Sequence, residues 1–422
     1  MLAMMSHADC ETTAQVLDRK RRHSWPCVYH FYQDPPVIVR GERAWLFDRA
    51  GRRYLDCYSG VGVMNAGHSH PEILAAVMEQ AVCLQHTTSV YLTEPVWELA
   101  ERLSEVTPAG LDRSFFCASG SEANEAAMLL ATLATGRSEF VAFSRGLHGR
   151  TKAAMSATGL PMWRTDPELL ATFHHAPAPN HHDSLDEVER LLRRRSVAAV
   201  IVEPVQGNGG IVVPPAGFFP HLREICRRHG TLLIFDEVQT GLNRTGRWFA
   251  GQRWNVTPDI MTVAKALGNG WPIAAAVTTD ELAAAYVRPG ASTFGGNPLS
   301  CAAALAVIEI HERDLLGPRA ERLGAVLREE LRRGLDGCGW VGEIRGAGLM
   351  LGVELVRPDG RPAPDELGRL LESLKDAGYL AGRTGPDRNV LTLMPPLVVE
   401  ESALLELAAW LGEHVPRLAP VE

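Results

Sequence analysis

Between about residues 113 and 277, short continuous apolar runs alternate with stretches whose apolar positions recur at helical spacing. The runs are Ser114-Phe115-Phe116-Cys117, Phe140-Val141-Ala142-Phe143, Ala198 to Val202, Leu232 to Phe235, Ile260 to Ala264 and Ile273 to Val277. Uninterrupted apolar strands between helices predict a mostly parallel sheet covered by helices on both faces, an α/β large domain. Before it, residues 37–57 read as a hairpin with turns at Arg40-Gly41-Glu42 and Arg49-Ala50-Gly51, and Pro71 opens a helix that runs to Leu84. After it, helical patterns over 302–335, 365–377 and 401–414 surround a strand–turn–strand at Val341 to Leu355 and predict a smaller α+β domain. The division expected is an N-terminal segment (1–60) that joins the small domain, a large domain (61–310) and a C-terminal small domain (311–422).

In sheets of this kind ligands sit beyond the carboxyl ends of the strands, so the residues that close each run carry the chemistry. One run ends at Lys265 and passes into Gly268-Asn269-Gly270. A lysine there loses water on one side, which favours its neutral, nucleophilic form. Leu232 to Phe235 ends in Asp236, and a carboxylate at the end of a buried strand requires a cation. A protonated ring nitrogen would serve. Ser119-Gly120-Ser121 opens a helix with apolar positions at 123, 127, 130 and 134, and a small-residue turn before a helix is an anion site. The plainer alternative is an N-cap at Ser121 with Glu122 and Asn124 behind it. Ser59 to His68 is too glycine-rich for a regular element and reads as a loop near a site.

Composition changes this picture only by exclusion. The chain has 422 residues, 46% hydrophobic and 22% charged, with a net charge of −8, so it carries no basic footprint for nucleic acid. Eight cysteines without a C-x-x-C pair argue for free thiols in the cytoplasm and against a disulfide frame or a zinc knuckle. Met1 to Cys10 lacks the apolar core of a signal peptide, and no apolar run reaches the length of a membrane span. Arg19-Lys20-Arg21-Arg22 reads as a solvated helix face. The histidines of Phe173 to Asp183 read as a surface loop, so no metal site is expected.

Six motifs in order then resemble the class III pyridoxal-phosphate aminotransferases of fold type I. They are Ser119-Gly120-Ser121-Glu122-Ala123, His148-Gly149-Arg150-Thr151, Glu203-Pro204-Val205-Gln206-Gly207, Asp236-Glu237-Val238-Gln239-Thr240-Gly241, Ala264-Lys265-Ala266-Leu267-Gly268-Asn269-Gly270 and Ser292-Thr293-Phe294-Gly295-Gly296-Asn297-Pro298. The likeness runs from about Val37 to Pro396. It implies Lys265 as the Schiff-base lysine and proton shuttle, and Asp236 as the partner of the pyridine nitrogen. It implies Val238 packed on the ring, Gln239 on the ring hydroxyl, Gly120 and Ser121 on the phosphate, and Glu203 behind the ring. Thr293 would reach the phosphate of a neighbouring subunit in a homodimer or tetramer with shared sites.

The sequence departs from the family on the substrate side. Leu147 stands before His148-Gly149 where an aromatic residue usually covers the ring. Asn208 follows Gln206-Gly207 where the family has a glutamate, and Thr392 takes the place of the arginine which that glutamate gates. The two losses belong together, because either charge alone would be buried unpaired. A substrate carboxylate then needs another arginine: Arg150 first, with Arg383, Arg388 and Arg164 in reserve. Tyr58 and Tyr91 are candidates for the pocket wall. The expected activity is transfer of an amino group between an amine or amino acid and a keto acid. The missing switch keeps a second reading open, a racemase or epimerase, decarboxylase or lyase on the same cofactor. A non-catalytic scaffold is a third, against which the intact Lys265 and Asp236 argue.

Overall fold

The computed structural model describes residues 11–420; the Met1 to Cys10 reading lies outside them. Its centre is a seven-stranded sheet in the order Arg113–Cys117, Ala274–Thr278, Ile260–Val263, Leu232–Asp236, Val197–Val202, Glu139–Phe143 and Phe173–Ala176. Five neighbouring strands are mutually parallel, while Ala274–Thr278 runs antiparallel to both of its neighbours. The cause is local. The link from Val263 to Ala274 holds only the turn Lys265–Leu267 and a glycine-rich loop, too short for the crossover that parallel pairing needs.

Alternate residues of the central strands feed two separate cores. Val200, Val202, Leu233 and Phe235 pack with Val188, Phe219 and Leu222 on one face. Ile201 and Ile234 pack with Ala127, Met128 and Ala131 of helix Gly120–Thr135 on the other. Both faces are therefore dry, and polar residues can appear only where strands end.

A second sheet, Val341–Ala347, Met350–Leu355, Val390–Leu393 and Gly382–Thr384, is antiparallel throughout. Helices Leu316–Gly334, Pro364–Asp376 and Glu401–His414 cover it. The N-terminal meander Ile38–Glu42, Trp45–Asp48 and Arg53–Asp56 gains a parallel strand from Tyr379–Leu380, and its Ala44 and Leu55 share the core of those C-terminal helices.

Three local expectations change. Phe173–Ala176 is an edge strand, not a loop. Phe173 stacks on Phe140 at 5.1 Å, and two of the four histidines are satisfied at the sheet edge, His174 by Glu139 at 2.8 Å and His175 by Arg164 at 3.2 Å. The pattern over 302–335 is two helices, Pro298–Arg313 and Leu316–Gly334, broken at Leu315 with φ +49°. Within Ser59 to His68 lies one irregular turn, Ser59–Gly62, with positive φ at Gly60 and Val61. The basic run lies on helix Thr13–His23, which buries no residue.

Arg244 joins the two sheets. It is fully buried and donates to Leu349 O at 2.9 Å, to Pro395 O at 2.6 Å and to Asn65 Oδ1. Burial pulls its pKa down to about 9. Removing it would strand three acceptors at the seam between the two units. Arg244→Ala is expected to cost roughly 3 kcal/mol, the order of several lost charged hydrogen bonds, seen as a lower urea midpoint at unchanged slope.

Candidate active site

The strand Ile260–Val263 is buried throughout, and Lys265 follows it at φ +48°. A non-glycine residue seldom adopts that conformation; the turn that redirects the chain toward Ala274–Thr278 imposes it. Lys265 lines a cavity of about 330 Å³ together with Ser119, Gly120, Ser121, Asp236 and Val238. Burial lowers its amine pKa, against the upward pull of Asp236 and Glu203.

Asp236 ends the next strand and is 3% exposed. Its Oδ2 accepts from Asn124 Nδ2 and meets His148 Nδ1, both at 2.8 Å, and its Oδ1 accepts from Val238 N at 3.1 Å. Asn124 is held in turn, since its Oδ1 accepts from Thr262 Oγ1 at 2.7 Å and its Nδ2 also reaches His148 O at 2.7 Å. Two N–H donors and an imidazole nitrogen thus surround this buried carboxylate.

At the other end, helix Gly120–Thr135 presents its N-terminus to the cavity. Its cap is Ser119, whose Oγ accepts from Glu122 N at 3.3 Å, which leaves the Ser121 hydroxyl free of that duty. Ser121 Oγ accepts from Arg150 N at 3.1 Å. A Cβ on Gly120 would lie 2.8 Å from Val238 Cγ1, and one on Gly149 2.4 Å from Ser121 Oγ, so both glycines permit close approach around this corner.

Glu203 does not line the cavity. Its Oε1 accepts from Leu147 N at 2.8 Å and its Oε2 from Gly207 N at 3.0 Å, which fixes the loop carrying Leu147 and the start of Gly207-Asn208. Burial raises its pKa. Gln239 Nε2 reaches Val61 O at 3.4 Å, while its Oε1 is buried with no hydrogen-bond partner among the described residues. An anion-binding helix end, a depressed-pKa amine, a buried hydrogen-bonded carboxylate and an orphaned acceptor fit a phosphorylated pyridine aldehyde.

On the far side of Lys265 lies a second cavity of about 530 Å³, lined by Tyr29, His30, Phe31, Tyr58, Gly60, Val61, Leu147, Trp163 and Asn208. It includes two of the residues expected on the substrate side, Tyr58 and Asn208. The others fall elsewhere. Thr392 is fully buried in the second sheet, where its Oγ1 lies 2.7 Å from Thr384 Oγ1. Arg150 is exposed and lines neither cavity. Tyr91 is 66% exposed, and Thr293 is exposed in the loop before helix Pro298–Arg313. Arg164 donates to Ser156 O and Thr158 O, which ties it to the loop it belongs to.

Sequence reasoning missed Asn124 and Thr262 as supports of Asp236, and Tyr29, Phe31 and Trp163 as cavity walls. Asn124 and Thr262 did leave a signal: each is a polar residue at a position where its helix or strand is otherwise buried and apolar.

This fold and this site define a pyridoxal-phosphate-dependent transferase of fold type I. The aminotransferase class III family model matches residues 30–413, and the chain belongs to that family: it is a pyridoxal-phosphate-dependent aminotransferase. It is 40% identical over 392 residues to the acetylornithine aminotransferase of Methanothermobacter thermautotrophicus, covering 92% of this chain and 96% of the relative. Among solved structures, a Bacillus anthracis aminotransferase superposes with a TM-score of 0.90 at 32% identity, covering 97% of this chain and 100% of that one. The ornithine aminotransferase of Toxoplasma gondii, described with pyridoxal phosphate at partial occupancy in its active site, gives 0.87 at 31%, covering 96% and 97%.

Asn124→Ala removes one of the donors that hold Asp236. The loss of a hydrogen bond to a charged group, about 1.5 kcal/mol, should raise the dissociation constant of pyridoxal phosphate roughly tenfold in a titration of the apoprotein.

Proposed function

We propose that amino transfer takes place in the cavity around Lys265, with an amine or amino acid as donor and a keto acid as acceptor. The observation that carries this reading is a buried, pKa-depressed amine in one cavity with Asp236 and the N-terminus of helix Gly120–Thr135. Pyridoxal phosphate, when bound, supplies an electron sink for charge that develops on the substrate carbon. In this reading Gly120 and Ser121 hold the phosphate, Asp236 the ring nitrogen and Gln239 Oε1 the ring hydroxyl, with Val238 and Leu147 as apolar cover. Asn124, Thr262 and His148 keep Asp236 in place. Glu203 positions Leu147 through its backbone. Lys265 Nζ, whose pKa burial lowers, takes up the proton that leaves the substrate carbon. Base catalysis of this kind is worth about 10²–10⁴-fold.

A homodimer belongs to the same reading. Met78 and Val82 of helix Pro71–Cys83, the following Val90, Tyr91 and Leu92, and Phe294 are all exposed. His86 and Phe294 bring the two loops together, with ring centres 5.2 Å apart. Apolar surface of this extent marks an interface. Thr293 beside Phe294 lines neither of the two cavities around Lys265, which supports a role in the site of a second copy, as does the exposure of Tyr91. The division into 1–60, 61–310 and 311–422 remains a proposal, supported by the core that Ala44 and Leu55 share with Leu327, Leu370 and Leu404. A cytoplasmic location is supported by free cysteines at all seven described positions. No described helix is long and apolar enough to cross a membrane.

Lys265→Ala should lower amine turnover by at least about 10²-fold while the protein still takes up pyridoxal phosphate. In the wild type the neutral amine is the active form and its pKa is depressed. The rising limb of the pH–rate profile should therefore lie below the usual lysine value of 10.5. Phe294→Asp places a charge in the exposed apolar surface and should convert a dimer to monomer in sedimentation, with weaker cofactor retention.

A further inference from the structure

The second cavity has a wall of four aromatic side chains drawn from three distant segments of the chain. Trp163 and Tyr29 lie 6.3 Å apart between ring centres, Tyr29 and Phe31 5.8 Å, and Phe31 and Tyr58 5.7 Å, the last two pairs edge-on. Tilted and edge-to-face packing at these spacings is favourable in its own right, so the rings form a preformed wall. The segment that carries Tyr29 and Phe31 is tied down. The Tyr32 hydroxyl accepts from Ala381 N and donates to Ala381 O, each at 3.0 Å, and Gln33 N donates to Glu372. The Arg388 guanidinium lies 5.5 Å from the centre of the Tyr29 ring.

The lining contains no carboxylate, and Lys265 is its only lysine or arginine. Asn208 stands where the family has a glutamate, so its side chain brings an uncharged amide to the lining; its backbone carbonyl accepts from Gly385 N at 2.9 Å. A substrate with a second ammonium group would meet no counter-charge in this chamber, and a buried unpaired charge is costly. About 530 Å³ is ample for a small ligand, and pockets walled mainly by aromatic side chains select apolar bodies.

We propose that this chamber takes an amine whose amino-bearing carbon carries an uncharged, apolar group of ring size, and that Tyr29, Phe31 and Trp163 set the preference. The inference rests on the reading of Lys265 as the amine-transfer centre and adds the substrate class to it.

The test is the amine half-reaction of the holoenzyme, followed by loss of the cofactor's visible absorbance. Each enantiomer of 1-phenylethylamine is compared with isopropylamine, which has the same reacting carbon without the ring, with 1,4-diaminobutane, and with N-acetylornithine. The better enantiomer of 1-phenylethylamine should exceed isopropylamine by about 100-fold in kcat/KM. Trp163→Ala, Trp163→Leu and Phe31→Ala should each lower that ratio by roughly tenfold, with the absorbance of bound cofactor retained as the check on folding. Equal use of 1-phenylethylamine and isopropylamine overturns the proposal and leaves the amine-transfer reading standing. So does faster reaction of 1,4-diaminobutane or N-acetylornithine, or a ratio that none of the three variants moves. Bleaching by none of these amines overturns both.

Discussion

The arrangement depends on one constraint: an amine and a carboxylate, Lys265 and Asp236, held at the dry carboxyl edge of a sheet that is apolar on both faces. Burial lowers the lysine pKa, while the nearby carboxylates Asp236 and Glu203 pull it up. The carboxylate too is almost fully buried. In such surroundings an unsupported charge is lost and a supported one acts strongly. That explains why Asp236 is wrapped by Asn124, His148 and the Val238 amide, and why Thr262 in turn fixes Asn124. The reversal of Ala274–Thr278 belongs to the same constraint. It lets the chain turn immediately after Val263 and present Lys265 at the strand end rather than carry it into a helix.

Much of this was legible in the sequence because it depends on short-range rules. Continuous apolar runs between helices placed the central strands, and the residues closing them supplied Lys265, Asp236 and the Gly120-Ser121 turn. What was not legible depends on what neighbours do. Phe173–Ala176 carries two histidines in four residues and reads as a loop; at a sheet edge Glu139 and Arg164 satisfy them, and Phe173 finds Phe140. Of the two serines in this turn, Ser119 caps the helix, because it is the one in extended conformation whose hydroxyl reaches Glu122 N. The aromatic wall has no local signature. Tyr29, Phe31, Tyr58 and Trp163 meet only because the N-terminal segment is pinned to Ala381, a contact between opposite ends of the chain.

The same logic accounts for the departures from the family at Asn208 and Thr392. Thr392 is fully buried, its hydroxyl beside Thr384 and its strand paired on both sides. An arginine in that place would need a carboxylate to meet it, and Asn208 offers none. The loop that bears Asn208 is closed instead by neutral contacts: Gly385 N to Asn208 O, Gly207 N to Glu203, and Arg345 Nε to Gly210 O at 2.8 Å. Removing both members of a charged pair leaves no buried charge unsatisfied, whereas removing either would. The chamber walls are correspondingly neutral from Tyr58 to Asn208. The cofactor half of the site thus remains strongly charged while the half facing the substrate has been emptied of charge. A substrate matched to that boundary presents its amine to Lys265 and an apolar body to the aromatic wall.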